Sequence, residues 1–193
     1  GRSLGDAFDD FMRPPYFPVR ISDLAGSFRF HTLDDEVWEI GGAKVHACAV
    51  PHCGPTNGYR IEFGGVSVVY IPDHQQPIDG SHAVDPRVLE LCHDADLLIH
   101  DAQYTPEQFT VKSTWGHCTI DYAIAVAEQS GAKRLALFHH DPSHGDETLD
   151  ALHGVAIDGA DSRGMIEVVS AREGLTIQLG QSGEVGLHLS QAS

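Results

Sequence analysis

Basic residues are scarce in this chain. Twelve Lys and Arg stand against 28 Asp and Glu, for a formal net charge of −16. So acidic a chain repels polyanions, and no run of Lys or Arg interrupts it, so broad nucleic-acid binding is not expected. Long apolar runs are missing too. No segment reaches the roughly 18 to 20 apolar residues of a membrane span, and no basic stretch followed by an apolar one marks a secretory signal. The four cysteines, Cys48, Cys53, Cys92 and Cys118, form no C-x-x-C pair. That argues against a zinc ribbon, and a disulfide framework is not expected in a chain of this length. Buried or half-buried thiols in a reducing cytoplasm are the expectation. Three catalytic signatures are absent as well: a G-x-S-x-G elbow, a G-x-x-x-x-G-K-[ST] phosphate loop and H-E-x-x-H.

What remains is rich in histidine, with 13 among 193 residues, and its 41% hydrophobic content suits one globular domain over 1–193. Residues 5–24 mix Phe8, Phe11, Tyr16 and Phe17 with Pro14, Pro15 and Pro18. A short helix running to Met12 is expected to stop at the prolines; the segment reads either as a lid or as an apolar loop packed on the core. From residue 28 the texture is β. Phe28–Phe30, Val37–Ile40 and Lys44–Val50 read as strands, and Gly64-Gly65 joins Tyr59–Phe63 to Val66–Ile71 as a two-residue hairpin. The apolar density of Val66–Ile71 predicts burial on both faces. Helices then alternate with strands. Pro86–Cys92 is helical and Asp96–Ile99 is a buried strand. Thr105-Pro106 opens a capped helix, with Gln108 at its third position. Thr119 caps the clearest helix, where Ile120, Ala123, Ile124 and Ala127 repeat at helical spacing and Gly131 ends it. Arg134–Phe138 is a strand, Thr148–His153 lies in a helix, and Ile166–Ser170 and Leu175–Leu179 are late strands. A mixed sheet with outer helices fits this order, and sites in such folds gather where strands end.

Four segments carry chemistry at such ends. Asp73 follows the strand Val66–Ile71 through Pro72; a carboxylate there can bridge two divalent ions, or can simply form a turn or cap a helix. His139 ends the strand at Phe138 and His140 adjoins it. One of the two can be a metal ligand, and the other can bind a substrate phosphate or Asp141; both can equally be hydrogen-bonded structural histidines. His52 lies just past Lys44–Val50, in a loop where Gly54 and Gly58 let backbone approach closely. His100-Asp101 ends another strand, and His117 sits just before the Thr119-capped helix. The helix dipole disfavours a cationic His117, and Asp101 is the natural group to restore its basicity. Such a pair suits proton delivery to a leaving oxygen, or the orientation of a ligand.

Together these segments resemble the metallo-β-lactamase fold, in its ribonuclease Z and phosphodiesterase-like branch. The resemblance rests on His52 before Gly58-Tyr59-Arg60-Ile61, Asp73 after VVYIPD, and His100-Asp101-Ala102, similar to His-Glu-Ala. It continues with Gly116-His117-Cys118-Thr119, similar to Gly-His-Ser-Thr, and Leu135-Ala136-Leu137-Phe138-His139. It covers residues 5 to 142, with a terminal strand near Ala171–Leu179. It implies an α/β fold of the metallo-β-lactamase αββα type. It also implies two Zn²⁺, with Mn²⁺ or Fe as substitutes, held by His52 and His139 and bridged by Asp73. Hydroxide generated there would attack a phosphodiester or related ester, with Asp101 and His117 serving the leaving group. His74, His100 and His140 are expected in supporting or substrate-contacting positions.

The family's T-H-x-H-x-D-H motif does not occur in this chain. With His52, Asp73 and His139 alone, neither metal would have the three or four protein ligands usual for zinc. The expectation is therefore that these residues form the C-terminal two-thirds of the fold, with the N-terminal strands missing, and that alone they are inactive and bind metal weakly. A small phosphodiester or ester is the expected substrate rather than transfer RNA, given the charge, and a homodimer is compatible with the reading. Two other readings stand beside it: a lactone or carboxylic-ester hydrolase of the same fold, and a non-catalytic domain used for binding or assembly.

Overall fold

The computed structural model describes residues 3–33, 35–161, 167–180 and 185–189. The chain divides into two compact units, residues 1–34 and 35–193. In the first, α1 (Leu4–Phe11) begins with a reciprocal Ser3–Asp6 capping box and ends at Met12, before the prolines. A 3-10 turn follows at Ile21–Asp23. The strand expected at Phe28–Phe30 does not form. Both phenylalanines are exposed and, among the described residues, no strand pairs with the segment, so its backbone has no ladder to join there.

The second unit is built on a seven-stranded sheet. Its strands are β1 (Glu36–Ile40), β2 (Ala43–Ala49), β3 (Asn57–Phe63), β4 (Val66–Ile71), β5 (Leu97–Asp101), β6 (Leu135–Phe138) and β7 (Val168–Ser170), in that spatial order. The first three pairings are antiparallel and the last three parallel. The two tight hairpins turn on Gly41-Gly42 and Gly64-Gly65, all four at positive φ, which the primed turns require. The strand expected from Ile166 begins at Val168; Ile166 itself lies outside the described residues.

Three helices cover one face of the sheet: α2 (Pro86–Cys92), α4 (Ile120–Ser130) and α5 (Asp146–Asp161), while α3 (Pro106–Lys112) lies in the chain between β5 and α4. The core beneath them joins Val69, Ile71, Leu91, Leu98, Ile124, Leu135 and Leu137, all nearly inaccessible. Each such side chain contributes roughly 1.5–3 kcal/mol by leaving water. α4 is buried on more than the expected stripe. Tyr122, Ala125 and Val126 join Ala123, Ile124 and Ala127, because the helix is wedged between α2 and α5. α5 runs well beyond the expected Thr148–His153. Gly154 and Gly159 weaken its helical signature, yet Ala156 and Ala160 bury one stripe at i, i+4.

The opposite face is more open. A separate hairpin, β8 (Leu175–Leu179) with β9 (Val185–Leu189), brings Ile177 and Leu187 beside Leu97 and Val169. β4 is accordingly buried on one face only, through Ser67, Val69 and Ile71. Val66, Val68 and Tyr70 remain half-buried, which corrects the expectation of two buried faces. No helix among the described residues is long and apolar enough to cross a membrane.

Candidate metal centre

The sheet topology explains why four distant segments meet. β4, β5 and β6 are parallel, so Asp73, Asp101 and His139 leave at one edge. β2 reverses twice on its way to β4 and therefore points the same way, which brings His52 to that edge too. His117 arrives from the other side. A parallel bridge between Tyr104 and Thr119 lays the turn before α4 along the segment after β5. Edges where parallel strands end are where α/β folds concentrate chemistry.

Two triads result. His52, Asp73 and His117 each offer a donor atom within 4.8 Å of the others, and so do Asp101, His117 and His139. His139 Nε2 lies 3.5 Å from Asp73 Oδ1, and His117 Nδ1 lies 4.0 Å from the same oxygen. The His117 and His139 rings stack with centroids 4.7 Å apart. His139 sits at φ +56°, a left-handed conformation in which histidine is tolerated better than most residues. It follows β6 directly.

Asp101 is fully buried, and its charge is held by three donors. Oδ2 accepts from the His74 backbone N–H (3.0 Å) and from His117 Nδ1 (2.8 Å), and Oδ1 accepts from the Gln103 backbone N–H (3.1 Å). The hydrogen bond that His117 donates to Asp101 raises the His117 pKa above its ordinary value, against the opposing effect of burial. The Nδ1 of His117 is thus committed to Asp101. This is the pairing the sequence suggested. Cys118, where the resembling motif has Ser, donates from Sγ to the Asp101 carbonyl (3.0 Å), and burial raises its thiol pKa well above normal, so it serves as an inert donor.

The donor chemistry fits a divalent ion of borderline character. His52, Asp73 and His117, none of them fully buried, converge at one rim, whereas His139 shares a donor group with His117 and Asp101 and, among the described residues, none with His52. His52 is seated against Gly116, which has φ +100°. A Cβ there would collide with His52 Nε2 and come within 3.1 Å of Cys53 Sγ. Gly58 also permits a close approach, since a Cβ would meet Ile71 at 2.9 Å and Leu91 at 3.0 Å. Gly54, expected to behave likewise, faces open space.

Sequence reasoning missed the residues that hold these loops together. Gln75 donates from Nε2 to the carbonyls of Gln76 and Ser113 (both 2.7 Å) and accepts the Gly116 N–H at Oε1 (2.8 Å). Its own N–H reaches the Pro51 carbonyl (2.7 Å). Gln76, almost inaccessible, accepts from the Thr119 N–H (3.1 Å) and hydroxyl (2.9 Å), and donates to Gly80 and Ser81. These two amides tie the His52 loop, the Asp73 loop and the His117 turn into one body. Nothing in Gln-Gln before a proline signals that role. Gln103 is a third such residue, with its amide 2.6 Å from His139 Nδ1.

His74 and His100 are fully buried. His100 Nδ1 lies 2.6 Å from the Asp101 carbonyl, which can only accept, so Nδ1 carries the proton. His100 Nε2 then accepts from His74 Nδ1 at 2.8 Å. Both rings stay neutral, because burial lowers both pKa values. His140 turns away from Asp141 and reaches the Ala171 carbonyl through Nε2 (3.2 Å). Asp141 is taken by Lys112 (2.6 Å) and Ser143 instead, which hold its carboxyl well below the usual range.

Residues 9–140 match the profile of the family described as "Beta-lactamase superfamily domain". Ribonuclease Z of Brevibacillus brevis is 34% identical over 79 residues, which is 41% of this chain and 25% of that protein. Ribonuclease Z of Sulfurisphaera tokodaii is 40% identical over 94 residues, 49% of this chain and 28% of that protein. The matched segments thus span under a third of these relatives' length. Among solved structures, the metallo-β-lactamase fold protein YhfI of Bacillus subtilis superposes with a TM-score of 0.58 at 21% identity, over 81% of this chain and 53% of that one. Zn²⁺-bound PqqB of Methylobacterium extorquens gives 0.53 at 17% identity, over 73% and 53%. These two likenesses concern the fold.

Proposed function

The chain belongs to the β-lactamase superfamily, and from that premise we propose that it carries part of the active site of a metal-dependent phosphodiesterase-like hydrolase. The observation that carries the reading is the Asp101–His117 pair, with its 2.8 Å hydrogen bond, set beside Asp73 and His139 at one sheet edge. His52, Asp73 and His139 would hold zinc, with Mn²⁺ or Fe as substitutes. When bound, such ions supply Lewis acidity and an activated water. The protein's own part is proton delivery. Asp101 accepts a hydrogen bond from His117 Nδ1 and raises the His117 pKa, which favours a protonated ring whose Nε2 is free to protonate the departing oxygen.

Three ligands serve two ions poorly, so the chain by itself should hold zinc weakly and turn over little substrate. The acidic surface favours a small phosphodiester over transfer RNA. Four free cysteines, three of them buried, fit a reducing cytoplasm. The test is hydrolysis of bis(p-nitrophenyl) phosphate against a lactone, with added Zn²⁺ or Mn²⁺, on the protein whose zinc content has been measured. Faster turnover of the lactone would favour the carboxylic-ester reading, and two tightly held zinc ions on this chain would contradict weak binding. The non-catalytic reading predicts neither activity, even when a full ligand set is supplied.

A further inference from the structure

We propose that Gln103 is the positioning residue that holds His139 by Nδ1 so that Nε2 faces the metal site, and that by turning its amide it accommodates either tautomer of the ring. The inference rests on the reading of His139 as a ligand. Gln103 is 8% exposed and its amide lies 2.6 Å from His139 Nδ1, while its backbone N–H binds Asp101 Oδ1. One residue therefore touches both the ligand and the proton-delivering pair. With Nδ1 occupied, the nitrogen turned toward Asp73 is Nε2, 3.5 Å from Oδ1.

The side chain of Gln103 has a property no carboxylate shares. Its amide oxygen and nitrogen occupy nearly the same volume, so a half-turn offers His139 either an acceptor or a donor. In the structure the amide nitrogen faces Nδ1. An N–H donated there leaves Nδ1 with a lone pair and puts the imidazole proton on Nε2, pointing at the Asp73 carboxylate. A metal needs the opposite tautomer. With Oε1 facing Nδ1–H, the lone pair sits on Nε2, where Asp73 can share the ion. Glutamine thus serves both the loaded and the unloaded site, whereas glutamate serves only the loaded one.

The test uses the 193-residue chain, histidine ¹⁵N–¹H correlation spectra to read the tautomer, and zinc titration against a competing chelator. Without metal, wild type should show His139 with its proton on Nε2, and Gln103→Glu should move it to Nδ1. Gln103→Met, which keeps the shape but not the hydrogen bond, should show a mixture and lose about 10–100-fold in zinc affinity, the usual effect of removing a ligand's outer partner. Gln103→Glu should retain affinity. Wild-type affinity in a folded Gln103→Met, or one tautomer common to wild type and Gln103→Glu, would overturn the proposal. If wild type binds no zinc, the metal reading fails while the tautomers still decide the role of Gln103. If Gln103→Met does not fold, the comparison of wild type with Gln103→Glu decides it.

Discussion

Replacing Gly116 with alanine separates two physical effects at the rim of the site. Gly116 has φ +100°, and a Cβ would run into His52 Nε2 and approach Cys53 Sγ to 3.1 Å. Gly65 also has a positive φ, +81°, but a Cβ there meets nothing within 4 Å. Gly65→Ala should therefore lose only the backbone term, about 1–2 kcal/mol for an L-residue forced into the left-handed region. For a chain of this size that is a fall in Tm of about 2–4 °C per kcal/mol. Gly116→Ala should lose the same amount plus a packing penalty of about 1–3 kcal/mol, as the His52 ring and its neighbour are pushed aside. His52 would leave its position against Asp73 and His117, so zinc affinity should fall with it, while Gly65→Ala leaves affinity untouched. Urea denaturation gives the stabilities and chelator competition gives the affinities. Equal destabilisation by the two variants, with zinc binding intact in Gly116→Ala, would refute the placement of His52 against Gly116.

Gln76→Ala removes the acceptor of two Thr119 donors and the donor to two carbonyls in a nearly inaccessible site, so it should cost about 2–4 kcal/mol in urea unfolding. Asp101→Asn removes the hydrogen-bonded charge that raises the His117 pKa. A raised folded-state pKa stabilises fully below the unfolded value of about 6.5 and is lost as pH rises through the folded value. The stability gap between wild type and Asp101→Asn should accordingly narrow as pH rises above about 6.5, and the His117 titration seen by NMR should move to lower pH. Among the four thiols, Cys53 alone is exposed, so a thiol reagent should modify one equivalent in the native chain and all four after unfolding.

Much of the architecture is legible in the residues. Thr105, Thr119 and Gly131 mark helix ends by side-chain chemistry that acts within three or four positions, and each does so in the structure. The Gly64-Gly65 hairpin is local in the same sense. Strand-end placement predicts that His52, Asp73, Asp101 and His139 share an edge, because strand direction follows from the order of hairpins and crossovers. Long-range effects are hidden. The failure of Phe28–Phe30 to form a strand depends on a missing ladder partner, and the half-burial of Val66, Val68 and Tyr70 depends on what covers that face. The amide network of Gln75, Gln76 and Gln103 is invisible because glutamine carries no positional signature; its value lies in which loops happen to meet.

Zinc titration of the chain with Asp73 intact and with Asp73→Ala tests the metal centre most directly. Asp73 is partly exposed and the structure makes it the shared neighbour of His117 and His139, so its removal should spare the fold. The account predicts that wild type binds zinc and that Asp73→Ala loses more than about 100-fold, beyond the loss of an outer partner. Unchanged zinc affinity in a folded Asp73→Ala would contradict it.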